Sequence, residues 1–114
     1  MAEKTKGQIE AEISEAIIKF EIDHMGRGPK EAKTYLMDDM VFIRLKGVLT
    51  PAEEQLAKTA EGADLIKKTR VQLLEGARVL LEKIIMDITG FQIKSLHSDI
   101  STKTGERVIV LTFE

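Results

Sequence analysis

The sequence predicts an α+β fold: helices packed on an antiparallel sheet of two β-hairpins, in the order α-β-β-α-α-β-β. Two observations indicate this class. Apolar residues recur with helical spacing in two long segments, and two other segments alternate with the period of strands. Strands that follow one another in pairs, separated by helices, indicate a layer of helices on an antiparallel sheet. A length of 114 residues suits one domain, residues 1–114.

The first helix is predicted from about Lys6 to Met25. Its core-facing stripe has the spacing of one helical face: Ile9, Ile13, Ala16, Ile17, Phe20 and His24. The acidic residues of this helix are interpreted as a solvated face rather than as a metal or acid–base cluster: Glu10, Glu12, Glu15, Glu21 and Asp23. Gly26 is a plausible C-cap, and the following Gly28-Pro29 prevents the helix from continuing.

The first hairpin is predicted in the alternating stretch EAKTYLMDDMVFIRLKG, with Asp38-Asp39 as a two-residue turn. This register pairs Met37 with Met40 and Tyr35 with Phe42. One face is then a core face: Ala32, Thr34, Leu36, Val41, Ile43 and Leu45. The opposite face carries Lys33, Tyr35, Met37, Met40, Phe42 and Arg44. Its methionines and aromatics are typical of an interface, most commonly in a homodimer, although a second core layer within the chain is an equal alternative.

The third block begins with the strongest local signal in the chain. Thr50 is the predicted N-cap, Pro51 fits the first helical position, and Glu53 completes a capping box. The helical pattern runs to Thr89, which would give a straight helix roughly 58 Å long. Because a domain of this size has a radius of gyration of only about 13–14 Å, we expect either a projecting helix or a break. A break near Gly62, giving a short helix and then a long one, is the preferred prediction.

The closing hairpin is predicted from Phe91–Ile100 and Arg107–Phe113, around a loop at Lys103-Thr104-Gly105. The run from Val108 to Leu111 is continuously apolar, as expected for a central strand that is covered on both faces.

Three separated stretches resemble one known family: TKGQIEAEISEAIIKFEIDHMGRGPK, LKGVLTPAEEQLAKTAEG and SLHSDISTKTGERVIV. They are similar to a bacterial family of small proteins of unknown function that includes MpsC, a component of a Na+-translocating, membrane-potential-generating system. The resemblance covers nearly the whole chain. It implies at most an accessory role beside membrane-embedded components, and it brings no catalytic residues with it.

Composition excludes several classes of protein. The formal net charge is −2, without the basic surplus usual in duplex-DNA binders, so no nucleic-acid partner is expected. The absence of cysteine excludes disulfides, thiolate catalysis and thiolate zinc sites, and makes the cytoplasm the default compartment. No apolar run approaches the length of about 20 residues that a membrane span needs, so no direct membrane insertion is expected. No cofactor or metal is predicted.

His97 and Asp99 form a candidate polar site, because residues two apart on a strand share a face. The carboxylate could orient the imidazole for general-base work. However, the chain has no nucleophile-elbow motif, and two ligands are too few for a metal. A structural role is therefore the favoured interpretation.

Arg27 and Lys30 in the segment GRGPK form a candidate anion-binding site, since cations beside glycine amides can hold a phosphate or carboxylate. The alternative is a helix stop with solvated charges. Taken together, these observations favour a non-enzymatic accessory or interaction protein, with a small-anion or nucleotide sensor as the alternative and an enzyme built on His97 and Asp99 as a weaker one.

Overall fold

The computed structural model describes residues 3–114. The elements are α1 (Lys6–Met25), β1 (Glu31–Met37), β2 (Met40–Lys46), α2 (Pro51–Leu56), α3 (Ala60–Gly76), α4 (Arg78–Thr89), β3 (Ile93–Ser101) and β4 (Glu106–Phe113). The predicted α+β class and order are confirmed, with the third block divided into three helices. Within residues 3–114, no helix is both long and apolar enough to cross a membrane.

The four strands form one antiparallel sheet in the order β1-β2-β4-β3. The predicted register of the first hairpin is confirmed: Met37 pairs with Met40, and Tyr35 pairs with Phe42. Asp38, in the turn, has a positive φ of 50°, a conformation that Asp tolerates better than most residues. The closing hairpin turns at Gly105, whose φ of 73° explains the glycine there.

The predicted long helix is broken twice. The first break lies at residues 57–59, just before the predicted position, and Thr59 caps the new helix by accepting a hydrogen bond from the amide of Gly62 at 3.0 Å. Gly62 itself lies in the first turn of α3 rather than at the break. The second break, at Ala77 between α3 and α4, was not predicted, so the single long second helix of the sequence analysis is wrong.

The helices α1, α3 and α4 pack on one face of the sheet, here called the inner face, and the core forms between these helices and the sheet. The fully buried side chains that define it come from α1, α4, β2 and β4: Ile13, Ile17, Val41, Ile43, Leu45, Leu81, Ile85, Ile109 and Leu111. The opposite, outer face consists of the alternate strand residues. It includes Lys33, Tyr35, Met37, Met40, Phe42, Arg44, Ser95, His97, Asp99, Val108, Val110 and Thr112.

The central position predicted for the last strand is confirmed, because β4 lies between β2 and β3. Cover on both of its faces is not observed. Ile109 and Leu111 are fully buried under the helices, whereas Val108 and Val110 on the outer face stay partly exposed.

Candidate functional site

Four charged side chains from four different elements meet beneath the helices. Glu21 of α1, Arg70 of α3 and Arg107 of β4 are only 1%, 4% and 2% exposed, and Glu53 of α2 joins them from the edge. Ionised groups are costly to bury unless they are paired. These four residues are here called the ionic cluster. Whether the cluster stabilises or destabilises the fold therefore depends on how its charges are paired.

Arg70 is held firmly. Its Nε and Nη2 donate to the two carboxylate oxygens of Glu53 at 2.8 and 2.7 Å, and Nη2 also donates to the carbonyl of Val48 at 3.0 Å. Bidentate arginine–carboxylate pairs are among the strongest side-chain contacts. Burial alone would raise the pKa of Glu53, but the hydrogen bonds from Arg70 and from the Thr50 backbone outweigh it and hold that pKa below its ordinary value.

Glu21 is held loosely. Its oxygens lie 3.5 Å from Nη1 of Arg107 and 4.0 Å from Nη1 of Arg70. Neither contact is a hydrogen bond, so both oxygens of Glu21 and both Nη1 atoms lack a hydrogen-bond partner within residues 3–114. Such unsatisfied buried groups typically cost about 1–3 kcal/mol each. Burial raises the pKa of Glu21, and the charges of Arg107 and Arg70 only partly oppose it.

Arg107 is anchored on its other side by the edge strand. Its Nε donates to the hydroxyl of Ser98 at 3.1 Å. Burial lowers the pKa of Arg107, while the charge of Glu21 opposes that change. A guanidinium stays protonated under all ordinary conditions, so the cluster always contains two buried cations.

A cavity of about 310 Å³ lies between α3 and the edge strand β3, directly over this cluster. Arg70 and Arg107 contribute to its lining, and so do Lys67, His97 and Asp99. His97 and Asp99 alternate toward the outer face of the edge strand, so the predicted pair contributes to the rim of a cavity that two buried arginines and a lysine also line. The arginines and the lysine were not among the predicted site residues.

The His97–Asp99 pair does not form the orienting contact that general-base chemistry would use. One carboxylate oxygen of Asp99 accepts a hydrogen bond from the amide of Ile100 at 2.8 Å and lies 3.7 Å from the ammonium of Lys67. His97 is exposed. Among the residues that the structure describes, no three His, Asp or Glu side chains converge as a possible metal site.

The predicted interface residues form a continuous part of the outer face. Tyr35 and Phe42 contact each other edge to face, with ring centroids 6.3 Å apart. The strand register extends their row through Val110 to His97. Met37 and Met40 lie in the neighbouring row, beside Thr112. The face therefore presents apolar side chains at its centre and polar ones toward the β3 edge.

Arg27 and Lys30, the predicted anion site, are placed in the connection between α1 and β1. The guanidinium of Arg27 donates to the carbonyl of Leu49 at 2.8 Å and thereby ties this connection to the segment before α2. The amide of Lys30 donates to the carbonyl of Lys46 at 2.8 Å. Anion binding at these two residues stays a prediction that the geometry does not test.

The interpretation of Glu21 as a solvated residue is wrong, and a signal for its burial was present. Glu21 continues the core stripe of Ile13 and Ile17 at intervals of one helical turn. Arg70 lies likewise between Ile66 and Leu74, and Arg107 alternates with Ile109 and Leu111. Charged residues at core positions of three elements could have indicated a buried ionic cluster.

The chain is similar to a known family and to two known proteins. A family model described as "Na+-translocating membrane potential-generating system (MpsC)" matches residues 5–114. The uncharacterized protein YbcI of Bacillus subtilis strain 168 is 48% identical over 107 residues, covering 94% of this chain and 86% of that protein. The uncharacterized protein YrhF of the same strain is 25% identical over 104 residues, covering 90% and 85%. No solved structure matches significantly.

Proposed function

Because this chain belongs to the family of the Na+-translocating membrane potential-generating system MpsC, we propose that it is a cytoplasmic, non-enzymatic accessory subunit. It assembles through the outer face of its sheet, first with a second copy of itself. The family description supports the link to a Na+ system, in which membrane-embedded partners would carry out the translocation.

The outer face is the observation that carries this proposal. Tyr35 and Met37 are 37% and 44% exposed, and Met40, Phe42 and Val110 beside them are only partly buried. The helices α1, α3 and α4 cover the inner face instead. A contiguous apolar patch on a folded domain marks an interaction site, and methionine with aromatic residues is the composition that interfaces favour.

Charge placement favours a second copy as the first partner. One row of the outer face runs from Lys33 through Arg44 and Val108 to Asp99, so its β1 edge is basic and its β3 edge carries an acid. A two-fold axis along the strands would set Lys33 of one copy over Asp99 of the other. Such a self-complementary surface is what a symmetric dimer requires.

The oligomeric state tests the proposal directly. The chain should run as a dimer in size-exclusion chromatography with light scattering, and Met37→Glu with Phe42→Glu should yield a folded monomer. A matched pair of charges on the helices, Leu65→Glu with Val79→Glu, should leave the dimer intact, because both residues are exposed apolar positions away from the sheet.

Two results would contradict the proposed interface. The native chain could be monomeric at high concentration, or the helix pair could dissociate the dimer while the sheet pair does not. Circular dichroism and denaturation of each variant separate loss of assembly from loss of folding. Unfolding by the sheet pair alone would identify the outer face as structural.

The accessory role needs a second experiment. The folded chain is used as bait for membrane fractions of the native organism, with the sheet pair Met37→Glu and Phe42→Glu as the control. Capture of a Na+-translocating membrane protein by the native chain supports the role. Recovery of no such protein, or equal capture by the control variant, speaks against docking through the outer face.

A further inference from the structure

The cavity between α3 and β3 has polar chemistry of which the proposed assembly uses only Asp99. It lies at the edge of the sheet, where α3 faces the edge strand, and it reaches from the mouth residues Lys67 and Asp99 down to Arg70 and Arg107. Both arginines are almost completely buried, so their charged groups are held in fixed positions by the fold.

Arg107 is the less completely paired of the two arginines in the ionic cluster. Its Nε is bonded to Ser98, and its Nη1 is sealed from solvent and lies 3.5 Å from the nearest carboxylate oxygen, on Glu21. Its Nη2 makes no hydrogen bond within residues 3–114 and is not among the sealed atoms, so it is the donor left for a ligand in the cavity. Arg70, by contrast, has a bidentate partner in Glu53. An N–H of a guanidinium donates a strong, charge-assisted hydrogen bond to a carboxylate.

We propose that this cavity binds a small organic monocarboxylate, with the carboxylate on the guanidinium of Arg107 and the ammonium of Lys67. Lys67 is available for this contact because its pair with Asp99 is long, at 3.7 Å, and both side chains are substantially exposed. Exposed pairs of this kind contribute little, so Lys67 turns toward a ligand at small cost.

The rest of the lining determines the size and charge of the ligand. Val71, Leu74 and Leu96 provide apolar walls for a hydrocarbon body. The volume of about 310 Å³ is at the small end of ligand sites. Glu75 and Asp99 also line the cavity and would repel additional negative charge, which disfavours polyanions such as nucleotides.

Binding is measured with benzoate and butyrate as probes, by NMR titration of backbone amides and by thermal unfolding at constant ionic strength. Both carboxylates should bind saturably, shift the amides of residues 67–71 and 96–100, and raise the Tm, because a ligand that binds only the folded state stabilises it. Benzyl alcohol, a neutral analogue of similar shape, should bind at least about tenfold more weakly, the loss expected when charge-assisted hydrogen bonds are removed.

Substitutions test whether Lys67 and Arg107 contact the carboxylate of the ligand. Lys67→Gln should raise the Kd for benzoate roughly tenfold, whereas Lys68→Gln should leave it unchanged, since Lys68 pairs with Asp64 instead. Arg107→Met should abolish binding. If Arg107→Met fails to fold, the comparison of Lys67→Gln with Lys68→Gln tests the proposed site.

Three outcomes would overturn the proposal: no saturable binding of either carboxylate, equal effects of the two lysine variants, or tighter binding of inorganic phosphate than of benzoate. Tighter phosphate binding would identify a phosphate site. An absence of binding would assign the cavity to solvent that hydrates the ionic cluster.

Discussion

Gly62 and Leu56 are in unusually close contact across the turn between α2 and α3: a Cβ built on Gly62 would lie 1.8 Å from the carbonyl oxygen of Leu56. Only a residue without a side chain permits this approach. Gly62→Ala should therefore push the two helices apart and destabilise the chain by about 1–3 kcal/mol, the usual cost of overpacking. Chemical denaturation measures the change.

Gly76 provides the matched control for that substitution. It is also a helical glycine, but a Cβ on it would meet nothing within 4 Å. Gly76→Ala should stabilise the chain by about 0.4–1 kcal/mol, because alanine restricts the unfolded state without strain in the folded one. Equal effects of the two alanines would show that helix propensity, rather than the contact with Leu56, determines the result.

The capping box at the start of α2 gives a second prediction. The hydroxyl of Thr50 accepts from the amide of Glu53 at 3.2 Å, and the carboxylate of Glu53 accepts from the amide of Thr50 at 3.0 Å. Thr50→Ala should cost about 1 kcal/mol in the free energy of unfolding. Thr102→Ala, the same truncation in the β3–β4 turn, serves as the control. A neutral result at Thr50 would contradict a stabilising cap.

Glu21 makes stability depend on pH in an unusual direction. Its folded-state pKa is raised above the ordinary value of 4.5, so the folded chain binds more protons than the unfolded chain between the two pKa values. The stability that Glu21 contributes is present below about pH 4.5 and is lost as pH rises through the raised pKa.

Denaturation of the native chain and of Glu21→Gln across this pH range tests the direction. The native chain should lose stability relative to the variant as pH rises, by about 1.4 kcal/mol for each unit of pKa difference. Glu15→Gln, at an exposed position of the same helix, is the matched control for the exchange of glutamate for glutamine. A flat difference for Glu21→Gln would mean that its two arginine neighbours fully offset the cost of burial.

Glu53 should behave in the opposite way, although it belongs to the same cluster. Its folded-state pKa is lowered below 4.5, so its contribution is present above that pH and is lost as pH falls through the folded value. In acid titrations, the native chain should lose stability relative to Glu53→Gln. Parallel trends for Glu21 and Glu53 would show that their pairing with arginine is equivalent, contrary to the geometry.

The fold was predictable where local periodicity and burial agree. The register from Lys33 to Arg44 follows from a two-residue turn and strict alternation, because a slip by one residue would expose the whole core face. The start of α2 follows from the chemistry of Thr50 and Glu53 alone. Both depend on residues close together in the chain.

The core positions of Glu21, Arg70 and Arg107 indicate burial, but the pairing within the ionic cluster was not predictable, because it joins residues that are distant in sequence. A glutamate on a helix is normally solvated, and Glu21 is an exception only because Arg107 and Arg70 fold against it. The break at Ala77 likewise has no capping side chain that a sequence would show. Tertiary packing determines both features.

The placement of β4 between β2 and β3 has a consequence for synthesis of the chain. During synthesis, the first hairpin leaves the ribosome before the last strand does. The side of β2 that pairs with β4 therefore has no hydrogen-bond partner until β4 is available. Until then, β2 is an unpaired strand edge with apolar residues, which is a template for aggregation. The complete sheet therefore forms only after residue 113 has been synthesised.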